Sequence, residues 1–175
     1  MRRLLLLRHA KSDWSIAGHP DHARELAPRG RKAAPLMGQY IAEHGLTPDH
    51  AIVSTAARTR QTWQALGDDL TGGVGVTYEK RIYEAEPEDI LEAIQDAPKS
   101  AQSLIVVGHN PGLQETALLL TNGGKTSARR AISAKFPTAG LAVIDLDIDD
   151  WSDIAPGHGT LERFITPRAL GGEDD

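Results

Sequence analysis

Two short runs of apolar residues, each ending near a histidine, constrain the fold more than any other feature of this sequence. Residues 4–7 are four consecutive leucines, and Arg8 and His9 follow them at once. Residues 104–107 are again wholly aliphatic, and His109 follows them after a single glycine. An apolar run without polar alternation is typical of a strand that is buried on both faces of a parallel sheet. The sequence therefore predicts two such strands.

The position of the histidines directly after these strands predicts where they lie. In an open α/β sheet, ligands bind beyond the carboxyl ends of the strands, so side chains there contact a ligand and not the core. His9 and His109 occupy the same place relative to their strands. We expect the two imidazoles to face one pocket.

The rest of the chain alternates strand-like and helix-like segments. Apolar residues at helical spacing predict helices over residues 31–44, 87–97 and 113–120, and another that is capped by Ser54 or Thr55 and runs to residue 66. Further strands are predicted over residues 51–53, 76–78, 141–148 and 160–165. This order predicts an α/β fold, a three-layer α/β/α sandwich with a mostly parallel sheet and one late antiparallel strand.

Less regular segments connect these elements. We predict a loop over residues 13–26, and we expect Asn-Gly-Gly at residues 122–124 to end the helix over residues 113–120. The basic stretch of residues 125–135 is expected to be a loop or a short helix. It is either a solvated surface or a landing site for an acidic partner protein.

Length and composition limit the domain organisation and the partners. The 175 residues are 40% hydrophobic, which predicts one domain over residues 1–170, and the acidic residues 171–175 are predicted to form a disordered tail. A net charge of −5 has the wrong sign for a nucleic-acid-binding protein. The sequence has no cysteine, which excludes a thiolate nucleophile and a Cys-bearing zinc site. We expect a cytoplasmic protein without a membrane partner, either a monomer or a weak dimer.

Histidine and arginine at strand ends suit phosphoryl transfer. A guanidinium can donate two parallel hydrogen bonds to the oxygens of a phosphate group. An imidazole can attack phosphorus to form a covalent intermediate. We assign His9 as the nucleophile, Arg8 as a phosphate clamp and His109 as a protonated stabiliser of the developing charge. Arg58, after the second predicted strand, is the candidate for a second clamp, although an arginine also suits an ordinary helix. We expect Asn110 to bind phosphate as well.

Three separated motifs carry a family resemblance. They are Leu-Arg-His-Ala-Lys-Ser at residues 7–12, Ser-Thr-Ala-Ala-Arg-Thr-Arg-Gln-Thr at residues 54–62 and Val-Gly-His-Asn-Pro-Gly-Leu at residues 107–113. In this order they resemble the histidine phosphatase superfamily. The Asp-Trp that follows the first motif, together with Phe-Pro-Thr at residues 136–138 and Pro-Arg at residues 167–168, makes the chain similar to the small SixA-type phosphohistidine phosphatases.

The resemblance implies a phosphoglycerate-mutase-like fold and phosphoryl transfer through a phosphohistidine, without a metal or other cofactor. By position, His9 matches the nucleophile of the family and His109 its second histidine. Arg8 and Arg58 match its phosphate-clamping arginines. Ser12 matches a serine that lines the phosphate pocket.

The proton donor of the family has no clear counterpart here. Many members use a carboxylic acid after the third strand, where Glu84 or Glu86 could serve, but residues 83–86 do not reproduce the usual motif. An alkoxide leaves phosphorus poorly unless it is protonated, whereas imidazole leaves readily because its conjugate acid has a pKa of about 6.5. The departure therefore favours a phosphohistidine substrate.

Three functions remain open on the sequence alone. The first is a phosphatase that acts on phosphohistidine in a protein such as a phosphorelay or phosphocarrier domain. The second is a phosphatase of small phosphomonoesters, since the same pocket chemistry serves both. The third is a catalytically silent protein that binds phosphate or a phosphoprotein.

Overall fold

One seven-stranded sheet lies at the centre of the computed structural model, which describes residues 1–173. The strands are β1 (Arg2–Arg8), β2 (His50–Ser54), β3 (Gly75–Glu79), β4 (Ser103–Gly108), β5 (Thr121–Gly124), β6 (Leu141–Leu146) and β7 (Gly159–Ile165). The helices are α1 (Pro28–Glu43), α2 (Ala57–Ala65), α3 (Asp68–Thr71), α4 (Pro87–Gln95), α5 (Gly112–Leu120) and α6 (Thr126–Ala134). Short 3-10 turns lie at Asp21–Ala23, Lys80–Ile82, Trp151–Asp153 and Pro167–Leu170.

The sheet has the strand order β3-β2-β4-β1-β6-β7-β5. Strands β1 to β4 pair in parallel, and β5 is parallel to β7. Strand β6 is antiparallel to both of its neighbours, β1 and β7. The prediction of a mostly parallel sheet with a late antiparallel strand is confirmed.

Helices cover both faces of the sheet because the leucines of β1 point alternately to each face. Leu5 and Leu7 pack with residues of α1 and α2, among them Met37 and Trp63. The other leucines pack with residues of α4 and α5, among them Ile94 and Leu113. All four leucines are fully buried, and each such burial stabilises the fold by about 1.5–3 kcal/mol. The predicted three-layer sandwich is therefore confirmed.

The start of α2 differs from the prediction. Ala56 is its N-cap residue and makes no side-chain capping bond, so the prediction that Ser54 or Thr55 caps this helix is wrong. Ser54 is the last residue of β2 and is fully buried. Its hydroxyl oxygen lies 2.7 Å from Nε2 of His109 and also accepts from the N–H of Ala56, the N-cap residue itself, at 3.4 Å.

The segment after α5 is more regular than predicted. Helix α5 ends at Leu120, just before residues 122–124, which were expected only to end it. These residues belong to the edge strand β5, although glycine has little preference for strands. Pairing with β7 in the sheet outweighs that weak local preference. The basic stretch that follows forms the helix α6, which buries Ile132 in the core.

The last described residues contact helix α1 and the final 3-10 turn. The backbone N–H of Gly172 donates to the carbonyl of Pro167 at 2.8 Å, and Glu173 forms a 3.0 Å ion pair with Arg29. These contacts connect the last described residues to the rest of the fold, and the disordered tail over residues 171–175 stays a prediction. Asp174 and Asp175 lie outside the described residues. No helix within residues 1–173 has the length and apolar character needed to cross a membrane.

Candidate active site

The register of β1 and β4 brings the two histidines together. Arg8 is paired with Gly108 at the carboxyl ends of these parallel strands, and the N–H of His9 donates to the carbonyl of Gly108 at 3.0 Å. His109 directly follows Gly108, so both imidazoles lie just beyond the carboxyl ends of their strands. Their ring centroids are 5.3 Å apart, and the rings are tilted by 54°.

Both rings line one cavity of about 300 Å³. The residues that were predicted from the sequence and that line this cavity are His9, His109, Arg8, Arg58, Ser12 and Asn110. The structure thus assembles every predicted phosphate-contacting residue at one place. Lys11, Trp14, Asp21 and Thr138 also line it.

The tautomer of His9 follows from its hydrogen bond. Its Nδ1 lies 2.8 Å from the backbone carbonyl oxygen of Ala10. A carbonyl oxygen only accepts, so Nδ1 carries a proton, and in the neutral ring the lone pair is then on Nε2. The ring is almost completely buried, with 6% of its residue surface exposed. Nε2 is therefore the nitrogen suited to attack phosphorus.

Backbone contacts on both sides fix the segment that carries His9. The N–H of Ala10 donates to the hydroxyl of Thr62 on α2 at 2.9 Å. The N–H of Ala139 lies 3.1 Å from the carbonyl of Arg8 and 3.0 Å from that of His9. His9, the predicted nucleophile, is therefore held between α2 and the loop before β6, which limits its movement.

His109 has a different electrostatic environment from the one we predicted. Burial, reinforced by the neighbouring His9 and Arg58, lowers its pKa to about 3. The ring is therefore neutral at physiological pH in the unliganded site, in contrast to the protonated stabiliser that the sequence predicts for the developing charge. Its Nε2 lies 2.7 Å from the Ser54 hydroxyl oxygen, while its buried Nδ1 has no hydrogen-bond partner among the described residues.

The lowered pKa of His109 predicts a specific acid sensitivity. An unfolded histidine titrates near 6.5, whereas folded His109 titrates at about 3, so between these values the unfolded chain binds a proton that the folded chain does not. Above pH 6.5 this histidine does not change the free energy of unfolding. Below pH 6.5 it lowers the free energy of unfolding by about 1.4 kcal/mol for each unit that the pH falls towards 3. Urea unfolding between about pH 7 and pH 4 should show a steeper loss for wild type than for His109→Gln. Equal slopes in the two proteins would contradict this account of His109.

Arg58 is held in the cavity wall by a residue that the sequence did not suggest. Its Nη1 donates to the Asp21 carbonyl at 2.8 Å and its Nη2 to the Asp21 carboxylate at 3.1 Å. The Tyr83 hydroxyl donates to the same carboxylate oxygen at 2.5 Å. Arg58 is 8% exposed, so these bonds orient a largely desolvated guanidinium.

The Asp21–Tyr83 pair sets the protonation of the cavity wall. The Tyr83 hydroxyl, assisted by the Arg58 guanidinium, lowers the pKa of the Asp21 carboxyl below its ordinary value. Burial, together with the Asp21 carboxylate, raises the pKa of Tyr83 to about 12. At neutral pH the cavity wall therefore carries an ionised Asp21, and the Tyr83 that is bonded to it is neutral.

The carbonyl of Phe136 orients two predicted phosphate ligands. It accepts from Nη1 of Arg8 at 2.9 Å and from Nδ2 of Asn110 at 3.4 Å. The Oδ1 of Asn110 accepts from the N–H of Gln114, which lies in the first turn of α5. Asn110 thus supports the start of α5 as well as lining the cavity.

The predicted proton donors lie elsewhere. Glu84 is exposed, has a left-handed backbone with φ of 52° and does not line the cavity. Glu86 forms a capping box with Asp89 at the start of α4. The carboxyl group that does line the cavity is that of Asp21.

No sequence pattern indicates several residues of the site. Asp21 lies in a polar loop without periodicity, and Tyr83 precedes the glutamates that drew attention to that segment. Ser54 was interpreted as a helix cap. Only the three-dimensional arrangement shows that Asp21 contacts Arg58 and that Ser54 contacts His109.

The sequence model of the histidine phosphatase superfamily (branch 1) matches residues 4–93, which contain His9 and Arg58. The uncharacterized protein Rv1276c of Mycobacterium tuberculosis is 38% identical over 164 residues, which are 93% of this chain and 100% of that protein. The chain belongs to the histidine phosphatase superfamily. It is a phosphatase, a hydrolase of that superfamily, and the sequence resemblance is confirmed.

Solved structures agree with this assignment. A candidate phosphohistidine phosphatase SixA from Nakamurella multipartitia has a TM-score of 0.83 and 29% identity, with 95% of this chain and 96% of that chain covered. A candidate SixA from Agrobacterium tumefaciens has a TM-score of 0.79 and 33% identity, with coverage of 95% and 98%. The protein histidine phosphatase SixA in complex with tungstate has a TM-score of 0.76 at 21% identity, with coverage of 96% and 99%, and so shows the same fold.

Proposed function

We propose that this phosphatase hydrolyses phosphohistidine carried by a protein, and that the phosphoryl group passes through His9. The proposal depends on the geometry of the cavity, where a nucleophilic imidazole lies beside a second imidazole and two arginines. The names of the similar SixA structures support the same substrate class.

The reaction has two displacements at phosphorus. In the first, Nε2 of His9 forms a bond to phosphorus while the bond between phosphorus and the substrate imidazole breaks. In the second, water attacks the phosphorylated His9, and inorganic phosphate and a proton are released. The guanidiniums of Arg8 and Arg58 stabilise the phosphoryl oxygens in both steps.

Neutral His109 takes part as a hydrogen-bond donor. Its Nδ1 is buried and has no partner among the described residues, which is costly for a polar atom. If the Ser54 hydroxyl donates to Nε2, then Nδ1 carries the proton. A phosphoryl oxygen in the cavity then accepts from Nδ1, so His109 needs no charge of its own to stabilise the transition state.

The ionised state of Asp21 is the main support for the choice of phosphohistidine as substrate. Its lowered pKa makes it an anion at neutral pH, so the carboxyl group in this cavity has no proton to give. An alkyl phosphomonoester has an alkoxide as its leaving group, which needs such a proton, whereas a phosphoimidazole that is protonated on its ring releases neutral imidazole. The cavity therefore favours a leaving group that departs without carboxylic acid catalysis.

A side-by-side assay tests the proposal. Wild type is offered a protein phosphorylated on histidine and a set of small phosphomonoesters, including a sugar phosphate and an aryl phosphate. Preferential turnover of phosphohistidine is the expected result. Broad turnover of the monoesters at equal or higher efficiency would select the small-molecule phosphatase, and phosphate binding without any turnover would select a silent binder.

Removal of metal ions should have no effect on the reaction. Within residues 1–173, no three His, Cys, Asp or Glu side chains are grouped so as to hold a metal ion. The mechanism assigns the neutralisation of phosphoryl charge to the two arginines, so EDTA should leave the rate within about twofold. Strong inhibition by EDTA that added magnesium or zinc reverses would contradict the mechanism.

A further inference from the structure

Trp14 combines high exposure with a place in the wall of the active-site cavity. The residue is 66% exposed, yet it lines the same cavity as His9 and Ser12. The other two tryptophans, Trp63 and Trp151, are buried in the core. Exposure of such a large apolar surface beside a reactive centre indicates a surface that contacts the substrate.

The indole ring is fixed although it is not buried. Its Nε1 donates to the Ser12 hydroxyl oxygen at 2.9 Å. The guanidinium of Arg24 lies over the ring at 3.8 Å from its centroid. Arg24 is itself only 9% exposed, and its Nη1 donates to the carbonyl of Asp13 at 3.2 Å. Trp14 is therefore preorganised, with one face against a guanidinium and solvent-exposed surface elsewhere.

The bond to Ser12 places the indole beside the expected phosphate position. The Ser12 oxygen accepts from Trp14, so its own proton is directed to a different acceptor. Ser12 is buried in the cavity wall, where a phosphoryl oxygen can be that acceptor. Only the Ser12 hydroxyl then separates the indole from the bound phosphoryl group. The indole therefore lies close to the leaving group that is attached to phosphorus.

We infer that Trp14 selects the leaving group of this phosphatase by stacking its exposed indole surface on the imidazole ring of the phosphohistidine substrate. This inference rests on the proposed function and adds the residue that recognises an aromatic leaving group. A ring gains contact area and a favourable π interaction from the indole, whereas a small leaving group without a ring gains neither. The preference comes from a fixed side chain, so little conformational entropy is lost on binding.

Two substrates with the same bond but different leaving groups test the inference. Phosphohistidine and phosphoramidate both contain a P–N bond, but only phosphohistidine has a ring. Trp14→Ala should lower kcat/KM for phosphohistidine about tenfold, while kcat/KM for phosphoramidate stays within about twofold. Trp14→Phe keeps an aromatic face and should retain most of the activity on phosphohistidine.

Tyr78→Ala is the matched control. Tyr78 is also an exposed aromatic residue with a stacked arginine, Arg60 at 4.3 Å, but it does not line the cavity. Its loss should leave both substrates unaffected. Thermal unfolding of each variant shows whether the fold is intact.

The outcomes separate this inference from the proposed function. An equal loss on both substrates in Trp14→Ala, or no loss on either, would overturn the role of Trp14 while the proposed function stands. Wild type that hydrolyses phosphoramidate but not phosphohistidine would overturn both.

Discussion

Replacement of His9 by alanine is expected to reduce phosphohistidine hydrolysis by a factor of about 10⁴ or more, because the covalent step then has no nucleophile. Nδ1 of His9 lies 2.8 Å from the Ala10 carbonyl oxygen, whereas the neighbouring imidazole of His109 is oriented differently, with its Nε2 2.7 Å from the Ser54 hydroxyl oxygen. Steady-state assays on a phosphohistidine protein measure the loss. His9→Ala should still bind tungstate or phosphate, since the arginines that hold the anion remain.

Retention of that anion binding is the control for the fold. A His9→Ala protein that binds the anion and turns over substrate at a rate near that of wild type would show that another group attacks phosphorus. The mechanism through His9 would then be wrong, whatever the substrate.

Replacement of Arg58 by alanine is expected to lower kcat/KM by about 10²–10³, the loss typical of one preorganised donor to a developing oxyanion. The guanidinium is largely buried and is oriented by two bonds to Asp21, so water cannot replace it in the same geometry. Binding of the ground-state phosphate should weaken as well, which separate kcat and KM values reveal.

Arg60 offers a control on the same helix. It lies two positions from Arg58, is exposed and donates to the carbonyl of Thr55 at 2.9 Å. Arg60→Ala should leave kcat/KM within about twofold, because a surface contact of this kind contributes little. Comparable losses in the two variants would show that general positive charge, and not the position of Arg58, supports the reaction.

The main features of the fold and the centre of the site could be predicted because each depends on a local pattern. Unbroken aliphatic runs identify β1 and β4, and the residues after a parallel strand emerge at the ligand-binding edge. In the structure the two strands end side by side, with Arg8 paired with Gly108. This pairing places His9 beside His109. Arg58 could be predicted for the same reason, because it follows β2.

The remaining features depend on contacts between distant segments. Asp21 and Tyr83 meet Arg58 through loops whose sequences have no periodicity, so no pattern indicates them. The charge of His109 depends on its burial, which raises the cost of protonation and cannot be derived from its neighbours in sequence. Strand β5 forms because β7 is available as a partner, against the local preference of its glycines.

Identification of the phosphorylated residue is the most direct test of the central claim, that phosphoryl transfer passes through His9. Wild type is mixed with phosphohistidine substrate, quenched in alkali within milliseconds to seconds, digested and analysed by mass spectrometry. The mechanism predicts a phosphoryl group on the ring of His9, stable in alkali and labile in acid, that disappears in His9→Ala. A phosphoryl group on any other residue of a catalytically competent enzyme, or substrate turnover with no phosphorylated enzyme at any time, would contradict it.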